Sequence, residues 1–362
     1  MPTGRLISGF ALIAALAFRP EVSTATFPGG NGLFAVEIES GPFSDQIVIL
    51  NPDGSFSHYF PSFEDVAHLD PNWSPDGNLI AFSLDFHIAV ARPDGSGLTQ
   101  LTDGFDERRP RWSPDQTRIL FQSIDASYNH EIFVMDADGS DQTNLTNDPA
   151  QDTNGEWAPD GSRIAFVSDR NSAALGMGGL YVMNPDGSRV TGLAQLRNSC
   201  VPGGFSAWWT PPYSWSPDSH RIAFSSCRRH QREILSAQIG TGVLRNLTRN
   251  PADDTQPVWG PDGRIAFASN RDNNSAVCDG VCNYEIYLMD ADGGHVTRLT
   301  NDPETTLPLQ WSPDGTKILF ARFDEVGADN LYVMDADGSN VFQLETRDDL
   351  NYATDWQPLP SG

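Results

Sequence analysis

The 362-residue chain is poor in basic side chains and in cysteine. Lysine and arginine together number 23, against 48 aspartates and glutamates, for a formal charge of −25 at neutral pH. A protein that neutralises phosphate needs a basic field, so a general nucleic-acid binder is excluded. Docking on anionic lipid is disfavoured for the same reason. Charged partners should be cationic or bring their own metal ion. The four cysteines, Cys200, Cys227, Cys278 and Cys282, form no CxxC pair and no His–Cys cluster, so they do not suggest structural zinc. Their even number suits disulfides in an oxidising compartment. The seven histidines show neither H-x-H nor HExxH spacing. There is no G-x-S-x-G nucleophile elbow, because Gly204-Phe205-Ser206-Ala207-Trp208 lacks the last glycine. Beyond residue 25 no stretch keeps a 3.6-residue apolar period or could span a bilayer. What is present, 39% hydrophobic and 10% aromatic residues with 32 Gly and 26 Pro, is enough for a folded core and rules out wholesale disorder.

Residues 1–25 read as a secretory leader. Arg5 supplies the positive start, Leu6 to Phe18 is an apolar run of 13 residues, and Ser23 and Ala25 offer small side chains at a cleavage site. The run is too short for an ordinary membrane span, which takes ~20 apolar residues. A location outside the cytoplasm, secreted or periplasmic, is the expectation.

The rest is a repeat. Tryptophan recurs in one context, at Trp73, Trp112, Trp157, Trp215, Trp259 and Trp311, each followed by a Ser/Ala/Gly-Pro-Asp turn, and in degenerate form at Trp356-Gln-Pro. The mean interval of about 47 residues suits a four-stranded propeller blade. Proline presets φ at the first corner of the turn and glycine accepts the positive φ that closes it. An apolar strand follows (Leu79–Phe82, Ile119–Phe121, Ile164–Val167, Ile222–Phe224, Ile265–Ala268, Ile318–Ala321). A third strand ends on Asp-Ala-Asp-Gly or Asn-Pro-Asp-Gly, and a fourth ends on Leu-Thr. Residues 33–60 supply strands two to four of one more unit, and 352–357 supply its missing tryptophan strand. The expectation is an all-β, single seven-bladed propeller over residues 26–362, closed by pairing of the chain ends, with six blades as the alternative.

The WSPDG–IAF–IYVMDADG–LT pattern resembles the β-propeller repeats of the TolB family, over residues 33 to 357. The resemblance implies the fold and says little about activity, since many functions sit on this ring. TolB proper carries an α/β domain before its propeller, and here the repeat starts near residue 32.

Antiparallel strands put the tight Pro-Asp-Gly and Asp-Ala-Asp-Gly turns on one face of the ring. The variable loops and blade crossings fall on the other, where binding is expected. Three features converge there. Asp106, Glu107, Asp152, Asp253, Asp254 and Glu304 precede the innermost strands and suggest an acidic channel mouth for a cation or a basic peptide. The long crossing Leu193–Ser214 holds Trp208, Trp209 and Tyr213, aromatic anchors for a partner or a flat ligand. The insertions after two second strands carry Cys227 with the basic run Arg228–Arg232, and Cys278 with Cys282. A Cys200–Cys227 bridge suits the geometry, and Cys278–Cys282 would close a very small loop. Arg170 and Arg271 are expected to pair with glutamates such as Glu285. The Asp-Ala-Asp-Gly repeats lack the full calcium-loop set and read as turns. The Asn144 and Asn246 sequons are repeat consensus.

The functional expectation is a monomeric, non-catalytic binding platform for a protein, peptide or glycan, without cofactor, metal, nucleic acid or membrane span. Propeller-bearing serine peptidases add a hydrolase domain after the ring, which argues against that class here. The enzyme alternative is a metal-assisted polysaccharide lyase or hydrolase in the channel, drawing on His68, His87, His130 and His230.

Overall fold

The computed structural model describes residues 30–39, 45–60, 67–125, 127–171, 177–197, 213–228, 231–272, 283–323, 329–346 and 351–359. They form 28 strands in seven antiparallel sheets of four, the seven blades of a propeller. The proposed leader at 1–25, Trp208, Trp209, Cys200, Cys278, Cys282 and His230 lie outside the described residues.

Blade 1 is composite. Its innermost strand, Asn351–Leu359, comes from the far end of the chain and pairs with Gly30–Glu39, placing Trp356 opposite Phe34. Blades 2 to 7 follow in chain order. Their innermost strands are His68–Trp73, Arg108–Trp112, Asp152–Trp157, Tyr213–Trp215, Asp254–Trp259 and Thr305–Trp311. The closing strand and the seven-blade count are therefore as the repeat predicts.

The repeat works because each tryptophan is a wedge between neighbours. All seven are buried, and one apolar cluster fills each of the seven gaps between blades. The gap between blades 7 and 1 holds Phe34, Val36, Leu319, Val333 and Trp356, so the ring seam is as apolar as any other gap. Burying side chains of this size contributes ~1.5–3 kcal/mol each, which makes the gaps the main cohesive force of the ring. Arg118, Arg221 and Arg264 stack their guanidinium groups over the tryptophans of the next blade, Trp157, Trp259 and Trp311, at 4.9, 4.9 and 5.7 Å.

The turn face is built by repetition. In Ser74-Pro75-Asp76-Gly77 the serine hydroxyl donates to the Asp76 carboxylate at 2.6 Å, and that carboxylate accepts the Asn78 amide at 3.0 Å. The same pair recurs at Ser113–Asp115, Ser216–Asp218 and Ser312–Asp314. Gly77 has φ +70°, and a Cβ there would lie 2.3 Å from the carbonyl oxygen of Pro358, on the closing strand. Gly293 ends an Asp-Ala-Asp-Gly turn at φ +88°, and its Cβ would strike the Leu247 carbonyl of the preceding blade at 2.4 Å. These glycines let neighbouring blades approach backbone to backbone.

Candidate functional site

The innermost strands meet around the axis, and most of them carry a register slip. In blades 2, 3, 4 and 6 the register slips three residues before the tryptophan, and the slip puts Asp70, Arg109, Asn154 and Gln256 at φ of 55°, 56°, 53° and 52°. A bulge of this kind re-aims the side chain next to it. Left-handed backbone at non-glycine residues marks positions that the surrounding structure over-determines. The first three of these residues are linked to one another and to Glu37 of blade 1 near the loop-face end of the channel. The Asp70 amide donates to Glu37 Oε2 at 2.8 Å, the Arg109 amide donates to Asp70 Oδ2 at 3.2 Å, and the Arg109 guanidinium donates to Asn154 Oδ1. Glu37 and Asp70 are buried, whereas Arg109 and Asn154 are only partly so.

Beneath this deck lies a second, made of the residues that immediately precede the tryptophans: Asn72, Arg111, Glu156, Ser214, Val258, Gln310 and Asp355. All seven are buried. Asp355 is the hub. Its carboxylate accepts the Trp73 amide at 2.7 Å, Asn72 Nδ2 at 3.0 Å and Gln310 Nε2 at 2.8 Å, tying the closing strand to blades 2 and 7. Asn72 Oδ1 accepts the Trp112 amide at 2.9 Å, and Ser214 Oγ accepts the Trp259 amide at 3.0 Å. Arg111 Nε donates to Glu156 Oε1 at 2.8 Å. Burial pushes the Asp355 and Glu156 carboxyls above their ordinary range, against the pull of the donors around them. Among the described residues the channel is thus a cup floored by interlocked side chains, with the half-buried Arg109 and Asn154 above the floor toward the loop face.

The sequence-predicted residues fall around this cup, largely in partnerships of their own. Asp152 is wholly buried and takes Arg170 Nη2 at 2.6 Å, and Asp254 does the same with Arg271 at 2.9 Å. These arginines therefore do not pair with Glu285, which instead receives Arg298 and Thr300. The reason is register: Asp152 lies opposite Ser168 and Asp254 opposite Ser269, two residues before each arginine. Asp106 holds Arg108 at 2.5 Å, Glu107 is buried beside His87 at 3.4 Å, Asp253 accepts the Arg232 amide at 2.8 Å, and Glu304 lies 3.9 Å from Arg322. Most of the acidic mouth is thus occupied by the protein's own cations and amides. Tyr213 is buried, and its hydroxyl donates to the Ala165 carbonyl at 3.1 Å and to that of Asn154. It supports the bulge of the cup from behind and is not an exposed anchor. Burial raises its phenol well above the ordinary tyrosine range.

Among the described residues no group of three or more His, Cys, Asp or Glu could hold a metal ion. His68 is buried next to the Phe60 and Phe82 rings, His87 faces Glu107, and His130 is bonded to Gln122 at 3.0 Å, its pKa lowered mainly by burial. The cup residues Asp70, Arg109, Asn154 and Asp355 were not picked out from sequence. Their one signal is a constant place, one or three residues before each tryptophan.

The fold is that of a TolB-like seven-bladed β-propeller. TolB from Acinetobacter baumannii superposes with a TM-score of 0.52 over 90% of this chain and 83% of that one, at 16% identity. Puromycin hydrolase gives 0.67 over 93% of this chain and 55% of its own, also at 16% identity. No family model matches. Among curated relatives, an uncharacterised protein of Agrobacterium fabrum is 26% identical over 59% of this chain and 65% of its own. Dipeptidyl-peptidase 5 of Porphyromonas endodontalis is 22% identical over 88% and 44%, and the uncharacterised peptidase YuxL of Bacillus subtilis 22% over 55% and 34%. The chain thus spans about a third to two thirds of the length of these relatives. The peptidase names correct two expectations. A non-catalytic binding platform, with a polysaccharide lyase or hydrolase as its alternative, is not what these relatives point to, and neither is a chain outside the enzymes.

Proposed function

We propose that the chain forms the propeller part of a peptide-processing enzyme, with the loop-face cup receiving the peptide. The observation that carries the reading is the breadth of the match to dipeptidyl-peptidase 5, which runs over 88% of this chain. The cup suits the role. Arg109 and Asn154 offer donors and acceptors to an extended backbone at the mouth, and the buried floor denies it a way through the ring, so a peptide that enters stays in reach of the loop face. Of the acidic mouth, Asp106, Asp253 and Glu304 belong to the same proposal as the part near solvent. So do a monomeric state, an extracytoplasmic location set by residues 1–25, and a Cys200–Cys227 bridge, which is supported by Cys227 being disulfide-bonded. No helix among the described residues is long and apolar enough to cross a membrane.

The test is amide-bond cleavage by the protein purified from its source, read on a panel of aminoacyl- and dipeptidyl-coumarin amides. Coumarin release should co-elute with the chain and fall at least five-fold in Arg109→Gln. Release that does not travel with the chain would overturn the reading.

A further inference from the structure

Four aromatic side chains among the described residues are exposed, and three of them share one place. Tyr59 packs edge-on with Phe56 in the outer strand of blade 1. Phe86 (41%), Phe105 (67%) and Tyr128 (76%) lie on the loop face over blades 2 and 3. Backbone bonds bring them together. The Phe86 carbonyl accepts the amide of Glu107, two residues past Phe105, at 2.7 Å. The Phe105 carbonyl accepts the Ser123 hydroxyl at 3.3 Å, on the strand that leads into the Tyr128 hairpin. Besides Leu244 and Leu359, the other exposed apolar side chains, Val190, Val243, Val296 and Val341, recur at matching repeat positions ahead of the outermost strands. The valines follow from the repeat, and the three aromatics do not.

Backbone strain is a second, separate observation. Phe86 has φ 67° and Tyr128 φ 63°. Asp85 and Phe86 make a two-residue hairpin with positive φ at both corners, where asparagine followed by glycine is the low-energy choice. A bulky side chain in the left-handed region is an outlier that folding alone does not favour, and such outliers gather at working sites.

Charge is the third. Asp85, in the same two-residue hairpin as Phe86, and Asp103, two residues before Phe105, are both exposed. The patch already seats one guanidinium: Arg108 lies 4.8 Å over the Phe86 ring and 2.5 Å from the Asp106 carboxylate. A ring face with a carboxylate at its edge is a seat for a cation.

We propose that Phe86, Phe105 and Tyr128 dock an extended peptide in which arginine or lysine alternates with apolar residues. The cations stack on the Phe105 and Tyr128 faces toward Asp85 and Asp103, and the apolar side chains lie between the rings. The inference rests on the peptide-processing reading and names the substrate class that the rim would select.

The experiment measures binding and cleavage separately on the full chain. Fluorescence anisotropy follows a labelled decapeptide of alternating Arg and Leu, and its counterpart with Glu in place of Arg. The Arg peptide should bind and the Glu peptide should bind at least ten-fold more weakly. Phe105→Ser/Tyr128→Ser should weaken the Arg peptide at least ten-fold, whereas Val243→Ser should not change it. Tyr128→Gly should also lose affinity while its Tm stays level or rises by up to about 2 °C, since glycine accepts the backbone angle. Equal binding by wild type and the double variant, equal binding of the two peptides, or no binding at all would each overturn the docking site. Cleavage that persists with a rim that binds nothing sinks this inference alone. Rim-dependent binding without cleavage sinks the peptidase reading and keeps the docking site.

Discussion

The turn face and the channel floor use the same residue, aspartate, in opposite ways. On the turn face, Asp115, Asp218 and Asp314 are exposed and Asp76 half-buried, each bonded to a serine hydroxyl and to the amide two residues ahead. These bonds outweigh the opposing burial and hold the carboxyls below their ordinary 3.8. In the floor, Asp355 and Glu156 are shut away from water, and burial raises them although donors hold both. Where aspartate only shapes a turn, water screens it and the cost of losing it is local. Where a carboxylate joins blades, as Asp355 does, its loss strands buried donors on two neighbouring blades at once.

The largest expected effect that separates the two regions is therefore Asp355→Ala. It leaves the Trp73 amide, Asn72 and Gln310 without their acceptor, and should cost about 3–5 kcal/mol in urea unfolding. Arg111→Met comes next. It leaves the Glu156 carboxylate buried and unpaired, at about 3 kcal/mol, and Arg111→Met/Glu156→Leu should regain most of that loss. If the double variant were no better than the single one, the pair would be a packing element and not an electrostatic one. Smaller still, Asp314→Ala should cost about 1 kcal/mol by thermal melting, because its two turn bonds are made in solvent.

The pH dependence sharpens the same contrast. The turn aspartates have lowered pKa values, so their stabilising contribution is present above the unfolded carboxyl range near 3.8 and is lost as pH falls through their folded values. Asp355 and Glu156 have raised values. Their contribution is largest below the unfolded range and is lost as pH rises through the folded values. Acid unfolding should thus set in below about pH 4, driven by the turns and opposed by the floor. Arg111→Met/Glu156→Leu, which removes the Glu156 carboxyl, should gain less stability than wild type as pH falls through the raised Glu156 value toward the ordinary glutamate value of 4.5. A parallel pair of curves would show that Glu156 does not titrate in this range.

Much of the ring could be read without coordinates. Six tryptophans ahead of a turn and a seventh at Trp356 gave the blade count, and Trp356 without a following strand gave the seam, where it now lies against Phe34 with ring centroids 4.3 Å apart. The candidate site could not be read in the same way. Asp152 and Asp254 look like rim carboxylates because they precede a strand, yet the register places each beside an arginine of its own blade. Asn72, Arg111, Glu156, Gln310 and Asp355 stand some 40 to 155 residues apart in the chain and become one floor only when the ring closes. Phe86 and Tyr128 are ordinary loop residues in the sequence, and only their positive φ and shared face set them apart.

The amino-acid order alone determined the wedge, its number and its closure, because each depends on local periodicity and on turn chemistry repeated every few dozen residues. The floor, the paired rim and the aromatic patch were decided by the tertiary structure. Each depends on which residues of different blades face one another across the axis or along the loop face, and a backbone bulge that turns one side chain inward leaves no periodic trace in the chain.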